Sequence, residues 1–408
     1  MKILVVGGGS GGHITPAVAV VREILVLKPR ARVEFWTDKK YYKNVVKITT
    51  ELEGVSWGED DKNSGRKVQY IRVRKVMSGK FRRYNWTFKE YFQNFGIFLK
   101  DLVFKNIIGF FGFMGGIFQS FFRMFLRKNR PDVIFLKGGF VGLPVGIVAR
   151  IFRIPYVIHE SDATPGLANR LLMKHAKVVA STMGLEVSNN IVTGVPVAEE
   201  FRPVSATRQK SLKKTFGFDE DKPLLIVTGG SQGAEHINAA IREILPELLK
   251  CCSVGLVAGR KHYEEMVDLK KYEEWDKAKL QSNFRLWNFS PVMNELMGAA
   301  DVVVSRAGAT TIAELSALKK AVVLVPFEKL PGGHQAKNAE KLESDGAVIV
   351  IRDDKMMKKP ALLLEAVQSL MRSPKKREVM AEKLHQMARP DAAKDLAEII
   401  LKLAQGIE

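Results

Sequence analysis

The sequence predicts an α/β protein of two domains, each with a parallel sheet wound by helices, and three observations carry that prediction. Apolar runs of strand length alternate with helix-length segments along the whole chain, the pattern of strands joined by crossover helices. Two of those runs end in glycine clusters that contain a serine and open a helix-like stretch. One is GGGSGGHITPA from Gly7 to Ala17, and the other is GGSQGA from Gly229 to Ala234. The third observation is size: 408 residues at 46% hydrophobic composition exceed one ordinary core and suit two domains of roughly 200 residues.

The strand-like runs of the first half are Ile3 to Val6, Val33 to Trp36, Val133 to Leu136, Tyr156 to Ile158 and Val178 to Ala180. In the second half they are Leu224 to Thr228, Val254 to Ala258, Phe284 to Trp287, Val302 to Ser305, Ala321 to Val325 and Val348 to Ile351. The boundary is placed near Phe201 to Ser205, where Pro203 and polar residues follow the last run of the first half, giving domains 1–203 and 204–408. A hinge there would let a cleft close. After Pro390, residues 391–405 form a terminal helix with Asp391 at its N-cap and Ala393, Leu396, Ile399, Ile400 and Leu403 as its apolar stripe, free to pack back on the first domain.

Charge is unevenly placed. The formal net charge is +20, and residues 1–200 hold 31 Lys and Arg against 16 Asp and Glu. Within them, residues 62–130 carry 16 basic residues and 2 acidic ones, so the first half is expected to meet an acidic partner. The charge lies among phenylalanines and glycines and forms no base-reading module, which argues against nucleic acid. The two cysteines, Cys251 and Cys252, are neighbours poorly placed for an unstrained disulfide and imply a reducing compartment. The apolar run at the start is too short for a secretory h-region, so the expected location is the cytoplasm.

The segment Trp86 to Lys128 joins Phe and Gly to an uncharged stretch, Asn106 to Phe122, bracketed by Lys100, Lys105, Arg123, Arg127 and Lys128. Seventeen uncharged residues rich in glycine make a poor spanning helix. The expected form is an interfacial or re-entrant helical hairpin with its cations at headgroup level, so that residues 86–128 contact an anionic membrane surface. A hairpin buried within the domain is the alternative.

Glycine loops between a strand and a helix let backbone N–H groups and the helix N-terminus approach an anion. Gly7, Gly9 and Gly12 also match GxGxxG, with Asp38 where a ribose-binding acid would stand, but a nicotinamide reading leaves the second loop and the basic segment unexplained. His13 sets the first loop apart. At the start of the helix its imidazole could accept a proton from a hydroxyl, or could simply hydrogen-bond a phosphate or the backbone. A third loop, Arg306 to Thr311, leads into a helix carrying Glu314, whose carboxylate could accept hydrogen bonds from vicinal hydroxyls or merely stabilise a first turn. His334, Gln335 and Asn338 follow the turn at 331–333 and share one helix face suited to sugar hydroxyls and a phosphate.

Together GGSGGHITPA, the LysGlyGlyPhe turn at 137–140, HESDATPGLAN from His159, GGSQGA, RAGATTIAE from Arg306 and HQAKNAEKL from His334 resemble the MurG family, in order from Met1 to about residue 350. The resemblance implies the GT-B fold, two Rossmann-like domains facing a cleft, and N-acetylglucosaminyl transfer that turns lipid I into lipid II in peptidoglycan synthesis, with no metal and no cofactor. It implies UDP-GlcNAc as donor in the C-terminal domain. The acceptor in the N-terminal domain would be undecaprenyl-pyrophosphoryl-MurNAc-pentapeptide, lipid I. The location would be peripheral, at the cytoplasmic face of the plasma membrane, where contact with other cell-wall synthesis proteins is open.

Carried over by position, Phe289 and Ser290 would read uracil through the backbone and Glu314 would hold the ribose. Ser231 and the amides of Ala309, Thr310 and Thr311 would hold the diphosphate, and Gln335 and Asn338 the GlcNAc hydroxyls. Gly9, Ser10 and Gly11 would contact the donor where its sugar meets the acceptor diphosphate. Gly12, Gly138, Gly139, Asp162 and Asn169 would fall on the acceptor side, with His13 as base and Glu160 as runner-up. The chain departs from the family in having Asp162 where Asn is common and Ala198 where an arginine is common, with Arg202 a candidate substitute. The rivals are a UDP-GlcNAc epimerase or another lipid glycosyltransferase on the same fold, and a nucleotide sensor without turnover.

Overall fold

The computed structural model describes residues 1–53, 71–81, 103–182, 184–230, 233–267, 282–328 and 333–407. The chain divides into two compact units. The first comprises Met1–Ala198 with Asp391–Glu408, and the second Glu199–Pro390.

The first unit holds a seven-stranded sheet of β1 (Lys2–Val6), β2 (Arg32–Thr37), β3 (Ile71–Lys75), β4 (Val133–Leu136), β5 (Tyr156–Glu160), β6 (Val178–Ser181) and β7 (Asn190–Val192), in the order β3-β2-β1-β4-β5-β6-β7. Its described pairings are parallel. Alternation along β1 explains why the strand reads as one apolar run. Ile3 and Val5 enter a core shared with the helix Gly11–Leu27, while Leu4 and Val6 enter another shared with the helix Gly142–Ile151. The terminal helix Ala392–Ala404 supplies Leu396, Ala397, Ile400 and Leu401 to the first of these cores. Asp391 stands at its N-cap but makes no side-chain capping bond.

The second unit repeats the plan with β8 (Leu224–Thr228), β9 (Ser253–Val257), β10 (Phe284–Trp287), β11 (Val302–Ser305), β12 (Ala321–Leu324) and β13 (Ile349–Val350), in the order β10-β9-β8-β11-β12-β13. Again the described pairings are parallel, and alternate residues of β8 feed opposite cores: Leu225 and Val227 one, Leu224 and Ile226 the other. In each sheet the strand order reverses once, between β1 and β4 and between β8 and β11. Loops leaving the carboxyl ends there diverge and leave a crevice, the place where open parallel sheets bind ligands. The α/β class with two parallel-sheet units is therefore as expected from the sequence.

Two strands escaped the apolar pattern. β3, IleArgValArgLys, carries three cations in five residues and shows its period only at Ile71 and Val73, and β7 is a three-residue edge. The expected hairpin over 86–128 can be compared only in part. Lys105–Phe125 is one continuous helix of 21 residues, and residues 86–102 lie outside the described residues. Its glycines make a packing seam and not a turn: Gly109, Gly112 and Gly116 lie against the backbone of Met77 to Lys80, so closely that a β-carbon at any of them would crowd that segment. Length and composition would let this helix cross a membrane, with a mean hydropathy of 1.3, but its glycine seam is packed on its own unit and its Phe face is exposed.

Candidate active site

In the first unit the loop after β1 is pinned from the side. Asp38, at the end of β2, accepts hydrogen bonds from the Gly9 amide at 2.6 Å, the Lys40 amide at 2.8 Å and the Tyr41 amide at 3.2 Å. Its carboxylate is thereby spent on the backbone, which removes it as a ribose acceptor. Gly9 adopts a φ of 81°, open to glycine, and Ser10 caps the next helix by position without a side-chain bond, leaving its hydroxyl uncommitted to capping. Gly11 and Gly12 open that helix.

His13 completes its first turn. Its Nδ1 lies 2.8 Å from the carbonyl of Gly8. A carbonyl only accepts, so Nδ1 carries the proton and Nε2 is left with a bare lone pair. The residue is part exposed, yet its ring is desolvated, and burial followed by the nearby positive charge of Lys137 pushes its pKa down to about 4. The turn after β4 closes over the same ring. Gly138 and Gly139 have φ of 96° and 79°, and a β-carbon on Gly139 would stand 2.7 Å from both Cε1 and Nδ1 of His13.

The strand end of β5 supplies a second polar layer. Glu160 accepts from the Asp162 amide at 3.0 Å, the Gly166 amide at 3.0 Å and the Asn169 amide nitrogen at 2.8 Å. Those three bonds make Glu160 the clamp of the 161–166 loop and Asn169 its buried support. Sequence reasoning missed the residue beneath them. Lys137 is 1% exposed and donates to Ser161 Oγ at 2.6 Å, and burial lowers its pKa to about 8 despite Glu160 and Asp162 nearby. Its signal was a lysine at a strand end directly before two glycines. His159 is fully buried, with Nε2 at 2.7 Å from the Gly194 carbonyl, and burial and Lys137 hold its pKa well below the usual value.

In the second unit Gly230 and Gly233 follow β8 with φ of 73° and 76°. Ser231, assigned to the diphosphate, lies outside the described residues. After β11, Gly308 caps the helix Ala309–Ala317 with no side-chain bond, so the amides of Ala309, Thr310 and Thr311 open a helix terminus suited to an anion. A β-carbon on Gly308 would meet nothing within 4 Å. Glu314 stands one turn inside; the residue is part exposed, but its carboxyl is desolvated, and burial alone pushes its pKa up to about 8. Ionising that carboxyl therefore wants donors from elsewhere, which vicinal hydroxyls would supply.

Around this terminus the remaining residues divide into two kinds. Gln335 accepts from the Phe327 amide with its side-chain oxygen at 2.9 Å, which orients its NH2 group, while Asn338 is buried and donates to the Ala307 carbonyl at 3.3 Å, bracing the loop that carries the amides. Phe289 is exposed with the Arg260 guanidinium 4.9 Å from its ring centroid, and Ser290 is buried beside it. Asp353, which nothing in the sequence signalled, accepts from Arg306 and from His236 Nδ1, the latter at 2.6 Å. Groups of His, Cys, Asp and Glu able to hold a metal ion are absent among the described residues.

Away from these loops, the helix Lys105–Phe125 turns an apolar face outward. Ile108, Phe111 and Phe122 are 69%, 67% and 71% exposed, with Lys105, Arg123, Arg127 and Lys128 at its ends.

Comparison with known proteins agrees with both halves of the chain. Residues 3–181 match the N-terminal domain of glycosyltransferase family 28, and residues 224–396 match its C-terminal domain. A Clostridium kluyveri protein named UDP-N-acetylglucosamine--N-acetylmuramyl-(pentapeptide) pyrophosphoryl-undecaprenol N-acetylglucosamine transferase is 34% identical over 90% of this chain and 91% of its own length. A Listeria welshimeri protein of the same name is 32% identical over 98% and 99%. Among solved structures, Acinetobacter baumannii MurG superposes with a TM-score of 0.67 at 23% identity, covering 98% of this chain and 99% of its own. The UDP-GlcNAc 2-epimerase of Neisseria meningitidis does so at 0.59 and 14%, covering 98% and 100%. At such identities the two structures speak for the fold alone.

Proposed function

The chain belongs to the MurG family, within glycosyltransferase family 28, and from that premise we propose that it transfers GlcNAc from UDP-GlcNAc to lipid I, giving lipid II. The C4 hydroxyl of MurNAc attacks the anomeric carbon, UDP leaves, and the configuration inverts to a β-1,4 linkage. The second unit binds the donor: Glu314 takes the ribose hydroxyls, the Ala309–Thr311 amides and Ser231 the diphosphate, and the loop at Phe289 and Ser290 the uracil. Charge builds on the diphosphate as UDP departs, and fixed amides at a helix terminus stabilise it without needing to reorganise. Gln335 offers its NH2 group to the GlcNAc hydroxyls.

The first unit binds the acceptor through the loop Gly9 to Gly12, the turn Gly138–Gly139 and the region of Asp162. His13 is the base, and the contact that supports this reading is its Nδ1 at 2.8 Å from the Gly8 carbonyl, which leaves Nε2 as the nitrogen able to accept a proton. Glu160 is the weaker candidate because its carboxylate already accepts three bonds from its own loop. The outward face of Lys105–Phe125 and its flanking cations hold the enzyme on an anionic membrane, at the cytoplasmic face where lipid I is presented. Replacing His13 by Ala tests the base. Turnover should fall by about 10²- to 10⁴-fold with donor affinity kept within about twofold, whereas near-normal turnover removes His13 from the role.

A further inference from the structure

A fully buried ammonium with no ion-pair partner among the described residues is costly, and Lys137 is such a group at the centre of the first unit's site. Glu160 and Asp162 act on it only at longer range, and among the described residues it donates to Ser161 Oγ at 2.6 Å. The polarity of the bonds beyond it is fixed. The Gly194 carbonyl can only accept, so His159 Nε2 carries the proton and its Nδ1 is bare. Ser161 Oγ, 3.5 Å from that Nδ1, is thus left to donate to it, and Lys137 must donate to Ser161. The chain of donors starts at the ammonium and has one direction.

At 1% exposure the Lys137 ammonium cannot itself touch a substrate. What it does reach is His13. The backbone two residues on, at Gly139, abuts the His13 ring, and the lysine's charge disfavours protonation of both His13 and His159. We propose that Lys137 is a positioning residue for the transfer reaction: anchored by Ser161 and leading directly into the glycine turn that closes on His13, it fixes that turn against the imidazole and adds its charge to the effect of the ring's burial. The inference rests on His13 as the base. Burial is the larger cause of the neutral ring, and Lys137, whose own pKa lies at about 8, adds its charge below that pH. The other charged or titratable groups acting on His13 are Asp162, which opposes the lysine, and His159, which is itself held neutral.

The test is a histidine titration by NMR on full-length protein labelled in its seven histidines, with His13 assigned through His13→Gln. Lys137→Met should raise the His13 midpoint by about one pH unit, and Lys137→Arg should return it towards the wild-type value. Lys137→Gln keeps a donor for Ser161 and serves if the methionine variant does not fold. A His13 midpoint unmoved in both neutral variants overturns the proposal. In parallel, the acid limb of kcat/KM should move with the midpoint. A limb that stays put while the midpoint moves would leave the hold of Lys137 on the ring standing and dismiss His13 as base, so the two failures are told apart.

Discussion

Replacing Glu314 by Gln should make the protein more stable and a worse binder of its donor, two changes that a purely structural carboxylate would not combine. In the folded protein burial raises this carboxyl from 4.5 to about 8. Below pH 4.5 both folded and unfolded chains hold the proton, and the group is neutral to stability. As pH rises from 4.5 towards 8, the unfolded chain releases the proton while the folded chain retains it, so stability is lost across that window. At about 1.4 kcal/mol per pH decade the loss at pH 8.5 approaches 5 kcal/mol as an upper limit, and relaxation around the site makes about 2 to 3 kcal/mol a fair expectation.

Glu314→Gln keeps the shape and removes the titration. Urea unfolding should therefore find the variant equal to wild type at pH 4.5 and more stable by that amount at pH 8.5. Calorimetry with UDP-GlcNAc should show the converse: about 10- to 100-fold weaker binding in the variant, the value of charge-assisted hydrogen bonds to the ribose. Wild-type binding at pH 7 should also release close to one proton, because the hydroxyls favour the ionised form, and affinity should climb as pH rises to about 8. Equal stability at both pH values, with no proton release and unchanged affinity, would refute the reasoning.

Gly139→Ala introduces a β-carbon 2.7 Å from the His13 ring at a φ of 79°, so it should lower stability by about 1 to 3 kcal/mol and reduce turnover at least tenfold, read by thermal unfolding and a UDP-release assay. Asp353→Asn removes the partner of Arg306 and should cost about 3 kcal/mol or more by urea unfolding, with a weaker effect from His236→Gln because the Arg306 pair survives. Phe111→Asp with Phe122→Asp should weaken binding to vesicles containing anionic lipid by at least about tenfold while leaving the unfolding midpoint nearly unchanged, since both rings are exposed.

What the sequence made legible followed from periodicity and from glycine. Strands buried on both faces, such as β1 and β8, appear as unbroken apolar runs, and the loops after β1, β4 and β8 announce themselves because each holds glycine at a positive φ. β3 stayed hidden because three of its five side chains are cationic. Glycine in the Lys105–Phe125 helix marks a seam for close backbone packing, which a linear string does not distinguish from a turn. At the sites, sequence identified residue types but not their partners. Asp38 and Glu160 both read as functional acids, and both turn out to spend their oxygens on neighbouring amides. Lys137 and Asp353 gain their meaning only from burial and from partners distant in sequence, which no local pattern encodes.

The most direct measurement supplies the full-length protein with radiolabelled UDP-GlcNAc and lipid-linked MurNAc-pentapeptide and follows both products. One UDP should appear for each β-1,4-linked GlcNAc on the lipid, with none formed when the acceptor is omitted and only traces formed by His13→Ala. UDP released without acceptor, or a UDP-sugar epimerised at C2, would contradict glycosyl transfer to lipid I.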